Sequence, residues 1–181
     1  MFDPPECPVP APVVNGTLYP WCIGYNCKHY GYLRAVDGKT WGSSTTAITG
    51  YNSNSTLLNS YMQFDLGTAR TDIGQVRLVA PMYQTYAVLP TNLSVYVSTG
   101  TNFRAGMLCA TNISFATWLE SMPVLCPIAS IRYVTVVDEV PNRRLALQEV
   151  SALYDGAWQH AHTPMAEFLY AFRSALLGNA I

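Results

Sequence analysis

The chain has 181 residues, half of them apolar and only 12% charged, where a soluble domain usually carries about 25%. That length suits one domain with a substantial core. With 10 Lys and Arg against 11 Asp and Glu, it lacks the basic stripe of a nucleic-acid binder and the polybasic patch of a membrane-surface protein, and no apolar run approaches the roughly 20 residues that span a bilayer.

Residues 1–29 read as a Pro-rich extended arm. Pro4, Pro5, Pro8, Pro10 and Pro12 fix φ and remove backbone donors, so the arm is expected to run polyproline-like across a surface instead of inside a sheet, or to be a disordered leader. Its first dozen residues have neither the basic nor the apolar region of a signal peptide.

Residues 30–156 read as one β-sandwich. Short runs rich in Val, Ile, Tyr, Phe and Thr, at 61–66, 73–80, 93–98, 131–137 and 145–154, are separated by Gly, Pro and Asn clusters. Val76, Leu78 and Ala80 alternate with Gln75, Arg77 and Val79, and Leu93, Val95 and Val97 alternate with Ser94, Tyr96 and Ser98. That period buries one face of a sheet and leaves the other to water or a partner. With no helical period between the runs, an antiparallel sandwich follows, closing over Phe64, Leu66, Val76, Leu78, Val95 and Val134. The polar stretch 42–60 reads as long loops at one end, where binding usually occurs. Residues 157–181 read as a helical tail. Thr163 can cap, Pro164 suits the first helical position, and Met165, Phe168, Leu169, Phe172 and Leu176 form one apolar stripe, to cover the sandwich itself or a neighbouring subunit.

Of the five cysteines, Cys109 and Cys126 flank a short polar excursion between two apparent strands. A bridge there would close a loop of about 16 residues and stabilise by roughly 3 kcal/mol. Cys22 and Cys27 are close enough for a second bridge, which leaves Cys7 free or paired with another chain; five thiols in a reducing compartment is the alternative. No Cys-x-x-Cys pair indicates zinc. Asn15, Asn54, Asn92 and Asn112 each open an N-x-Ser/Thr glycosylation acceptor. Together with the cysteines they point to an extracellular or surface-exposed protein on a cell or virion.

Reaction chemistry is hard to find. A nucleophile needs a base within hydrogen-bond reach, and the only histidines are His29, His160 and His162, outside the expected strands. Asp65, Asp72, Asp138, Glu139 and Glu149 form no evident pair facing one cleft. Asp65, in Phe-Asp-Leu-Gly, reads as a structural hydrogen-bonding residue at a strand end. No phosphate-cradling glycine loop and no dinucleotide fingerprint is present.

Six motifs stand in a telling order: Ala35-Val36-Asp37-Gly38, Tyr61-Met62-Gln63-Phe64-Asp65-Leu66-Gly67, Ile73-Gly74-Gln75-Val76-Arg77-Leu78, the loop bounded by Cys109 and Cys126, Arg132-Tyr133-Val134-Thr135-Val136, and Leu145-Ala146-Leu147-Gln148-Glu149-Val150. This series resembles the galactose-binding-like, coagulation-factor C-type (discoidin) domains, and more closely their fucolectin branch, over about residues 30–155. The resemblance implies an eight-stranded jelly-roll sandwich with a ligand cleft at one end, often pinned by calcium. The family's calcium-site carboxylates correspond to Asp37 and Glu149, although Lys39 stands where the family commonly has Asn. For Asp37 the plain alternative is a turn residue, and for Glu149 a solvent-facing strand residue. The His and two Arg that hold fucose in the family have no counterpart: no His occurs between His29 and His160, the first Arg position falls in Val79-Ala80-Pro81-Met82, and the second near Val88-Leu89. Trp41, Tyr83 and Tyr86 could stack on a different sugar, or be core or interface residues.

The sequence therefore leads to a non-catalytic recognition or adhesion module that binds a glycan or protein partner through the loop end. The alternative is a structural subunit of a virion, cell wall or appendage, whose cleft and two tails contact neighbouring subunits.

Overall fold

In the computed structural model, which describes residues 11–19, 32–37, 47–49, 59–82, 88–127, 129–141 and 143–154, the apolar-alternating runs pair into antiparallel sheets. The strands are β1 (Asn15–Tyr19), β2 (Ala47–Ile48), β3 (Tyr61–Arg70), β4 (Ile73–Val79), β5 (Leu93–Ser98), β6 (Met107–Ile113), β7 (Ser121–Leu125), β8 (Ile131–Asp138), β9 (Ala146–Leu147) and β10 (Glu149–Tyr154). A five-stranded sheet runs β1-β3-β8-β5-β6, a three-stranded sheet runs β10-β4-β7, and β2 pairs with β9. The two larger sheets hold the eight strands expected of the sandwich.

The register explains which face is buried. Leu18, Met62, Val136 and Val95 stand in one row across β1, β3, β8 and β5, and Phe64, Val134 and Val97 in a second inward row. Val76, Leu78, Val124, Val150 and Ala152 meet them from the other sheet, all inside one apolar cluster. The six expected core side chains are each at most 4% exposed. Burying a side chain of this size contributes roughly 1.5–3 kcal/mol, so this double layer is the main source of stability.

Three expectations need correction. Residues 15–19 do not lie across a surface: they form β1, an edge strand hydrogen-bonded to β3, because the proline-free stretch between Pro12 and Pro20 offers a donor at every residue. The alternation in β4 does not leave one face wet. β4 is the central strand of its sheet, and Gln75 and Val79 are as buried as Val76 and Leu78. The stretch between Cys109 and Cys126 is no short excursion, since it carries most of β6 and all of β7. Its signal is weak because both are edge strands. β6 is irregular against β5, with register shifts on either side of Val95, and β7 contains Pro123, which only an edge tolerates.

The Cys109–Cys126 disulfide itself is present. It joins the outermost strand of one sheet to the end of the outermost strand of the other. Cys22 and Cys27, Cys7, Asn54 and the helical tail lie outside the described residues.

Candidate functional site

The strand directions sort the connections. At one end β1 leaves at Tyr19 and β3 begins at Tyr61, β4 ends at Val79 and β5 begins at Leu93, β6 hands over to β7, and β8 to β10. Four connections emerge there, so this is the loop end of the sandwich; the β5–β6 connection, residues 99–106, leaves from the opposite end. The short β3–β4 turn and the entry and exit of the described chain lie at the opposite end.

A buried ion pair builds the base of the loop end. Asp138, the last residue of β8, is fully buried, and Arg143 donates to both its carboxylate oxygens, at 2.6 and 2.7 Å. Arg143 also donates to Thr91 Oγ1 at 2.8 Å and to the Thr91 carbonyl. Ser60 Oγ donates to the Arg143 carbonyl, and the Asp138 amide donates to the Ser60 carbonyl. One clasp thus holds the connections around residues 60, 91 and 143. Burial pushes the Asp138 carboxyl above its ordinary value, against the pull of Arg143, which is the usual contest in a desolvated pair.

Two further ties fix the same end. The Thr49 amide donates to the Leu145 carbonyl, and the Leu145 amide donates to Thr49 Oγ1, both at 2.9 Å. Glu120 accepts from the amides of Ala116 and Thr117, while its carbonyl receives the Ala80 amide. The β6–β7 and β4–β5 connections are therefore joined.

The expected ligand residues divide as follows. Trp41, Tyr83 and Tyr86 lie outside the described residues. Their flanks are placed: Pro81 is buried, and Val88 stands 69% exposed where the second sugar-holding Arg of the resemblance would fall. Asp37 is exposed in the bend after a 3-10 turn, Tyr32–Ala35, that packs against β1, β2 and β10. Glu149 begins β10 and is 2% exposed, not solvent-facing as its plain alternative had it. Its Oε1 accepts from Ser151 Oγ at 2.9 Å.

The 3-10 turn that precedes Asp37 packs against β10, the strand that Glu149 opens, but Asp37 is exposed and Glu149 buried. A calcium ion takes six to eight oxygens. Among the described residues no three His, Cys, Asp or Glu converge, so the remaining donors would be backbone carbonyls. Of the glycosylation acceptors, Asn15 and Asn112 are exposed, and Asn92 is half-buried.

The other acidic residues are engaged structurally. Asp65 accepts from Arg132 Nε and from the Gly67 amide, at 3.0 and 2.8 Å. Asp72 accepts from Arg70, and Glu139 from Asn59 Nδ2 at 2.6 Å. Sequence reasoning named Asp65 for this part but had no signal for Asp138 and Arg143, whose significance lies in burial.

Neither a protein-family profile nor a curated protein sequence matches the chain. Solved structures do. A fucose-binding module of Streptococcus pneumoniae overlays with TM-score 0.64, at 19% identity, over 85% of this chain and 99% of that one. The galactose-binding-like fold is thereby established. The fucolectin of Morone saxatilis (striped bass) serum overlays with TM-score 0.59 at 16% identity, over 78% of this chain and 46% of that longer one. The CBM32 module of AlyQ, bound to 4,5-unsaturated mannuronic acid, overlays with TM-score 0.59 at 15% identity, over 80% and 98%. The architecture expected from the motif order is the one found.

Proposed function

We propose that this protein is a non-catalytic glycan-binding module, exposed outside the cell or on a surface, that takes a saccharide at the loop end of the sandwich. The observation that carries this reading is the Asp138–Arg143 clasp. It fixes the connections of that end to one another and leaves them as a pre-organised base for a ligand. The similar modules named above bind fucose or an unsaturated mannuronic acid, which supports a sugar as the ligand class. The missing fucose-holding His and Arg argue for a different sugar, stacked on Trp41, Tyr83 or Tyr86. The five acidic residues weighed for catalysis are each hydrogen-bonded to a neighbour, which supports binding without turnover. The disulfide suits an oxidising compartment.

A glycan array with the full chain tests this. Binding to a defined sugar, millimolar or tighter, is expected to be lost in Trp41→Ala or Tyr83→Ala; no binding to any sugar overturns the reading. Calcium held by Asp37 and Glu149 belongs to the same proposal and would stiffen the rim. A chelator should then lower the melting temperature, and an unchanged melt removes the ion. The structural-subunit reading draws on exposed Met107, Leu108 and Leu125 at the two sheet edges. It requires assembly that disappears when residues 163–181 are deleted.

A further inference from the structure

The outer face of the five-stranded sheet carries a feature that the loop end does not explain. Tyr19 and Tyr61 are register partners on β1 and β3, one residue out of step with the inward-facing Leu18 and Met62, so both rings stand on the outside. They are stacked at 5.2 Å with an interplanar angle of 15°. The connection from β5 to β6 folds back over this face. Its 3-10 turn, Phe103–Ala105, sets the Phe103 ring 5.1 Å from Tyr61 and 5.3 Å from Tyr96. Between the tyrosine pair and this turn lies a pocket of about 320 Å³, at the lower end of the roughly 300–1,000 Å³ of small-molecule sites.

We propose that this pocket, walled by Tyr19, Tyr61 and Phe103 and rimmed by Asn59, Asn102 and Arg104, is a second saccharide site that takes one neutral pyranose ring. A pyranose has an apolar C–H face and an edge of hydroxyls that both donate and accept. The stacked tyrosines offer the flat half-exposed surface for the first. The rim offers the partners for the second. Arg104 is a donor, 57% exposed, with its guanidinium 3.9 Å from the Glu139 carboxylate, and Asn59 is held at that same carboxylate. The Arg104 guanidinium and the Asn59 and Asn102 amides, which line the pocket, supply donors and acceptors for neighbouring hydroxyls. Glu139 also opposes an anion, which disfavours phosphate or a sugar acid. Burial and the nearby Tyr19 raise the Tyr61 phenol above its ordinary value, so it keeps its proton as a donor.

The wall is fixed before any ligand arrives. Gln63 Nε2 donates to the Thr101 carbonyl at 3.0 Å, Ser98 Oγ to the Gly100 carbonyl at 2.6 Å, and the Gly106 amide to the Phe103 carbonyl at 2.9 Å. A Cβ on Gly106 would sit 2.3 Å from the Val97 carbonyl oxygen, so the return of this connection depends on that glycine. Such pre-organisation favours a small ligand with few contacts.

Amide chemical shifts of the full 15N-labelled chain, titrated with methyl pyranosides of fucose, galactose, glucose and mannose, provide the test. Shifts at residues 59, 61 and 101–104 are expected, with affinity about tenfold weaker in Tyr61→Leu. Arg104→Ala should weaken binding while leaving the melting temperature unchanged, and Trp41→Ala should leave these shifts intact. No shift at those amides with any of the sugars, or shifts that survive both pocket variants, overturns the proposal. Shifts confined to residues 80–92 overturn the pocket and keep the loop-end reading. Shifts confined to the pocket do the reverse.

Discussion

Asp65-Leu66-Gly67 shows how one short motif is explained atom by atom. Gly67 has φ +82°, a conformation costly for other residues, and its amide is received by Asp65 two positions earlier. The same carboxylate takes a two-point hydrogen bond from Arg132 on the neighbouring strand. Arg132 first, and then the Gly67 amide, hold the Asp65 carboxyl below its ordinary 3.8, against the opposing effect of burial. The sign follows from the direction. A carboxyl depressed in the folded state contributes stability that is complete above its unfolded value and is lost as pH falls through its folded one. Melting temperature should therefore drop on acidification below the ordinary carboxylate range, and Asp65→Asn should flatten that limb. An acid limb identical in the variant would refute the assignment. Gly67→Ala should destabilise by about 1–2 kcal/mol through the left-handed backbone alone, and a Cβ there would also press on Val14 at 3.1 Å.

At the scale of elements, the two sheets are closed differently at their two sides. β3 passes into β4 through a short turn at Thr71 and Asp72, a covalent link between layers. On the far side β6 runs on into β7 of the other sheet through residues 114–120, and the bridge between Cys109 and Cys126, 17 residues apart, adds a second covalent link between the layers. Closing a loop of that size stabilises by about 3 kcal/mol in the chain-entropy account. Reduction, or Cys109→Ser with Cys126→Ser, should lower unfolding stability by that order in a denaturant titration. The loss should fall first on amide protection in β6 and β7, which are bordered on one side only. Both edges are poor templates for strand addition, one because of its shifted register and the other because of Pro123.

Across the whole molecule, the legible part was whatever alternation and composition encode. The strands β3, β5 and β8, the core rows and the fold class could be read because a repeat of two residues writes burial directly into the sequence. β6 and β7 could not, since edge strands bury little and carry a weak pattern. Of the two options for the second face of β4, water or a partner, burial of Gln75 and Val79 leaves cover by the rest of the chain, which no local period reports. The outer-face pocket was invisible for a different reason. It unites Tyr19, placed by sequence in an arm, with Tyr61 and with Phe103 from a turn, and only the register brings them together. The Asp138–Arg143 clasp is likewise a property of the assembled loop end. Arg143→Ala should cost about 3–5 kcal/mol, because it strands a buried carboxylate, and should weaken sugar binding at the loop end in the same variant. Retained stability in denaturant would show that the clasp is incidental.

The opposite end has its own implication. The Ala11 amide donates to the Ala152 carbonyl at 2.8 Å, and Arg70 lies over the Tyr154 ring 4.7 Å away, so the strand-bearing segment is entered and left side by side. A polypeptide running through this unit gains almost no length from it. Under the proposed function, a sugar taken at the loop end would lie on the far side of the unit from residues 11 and 154.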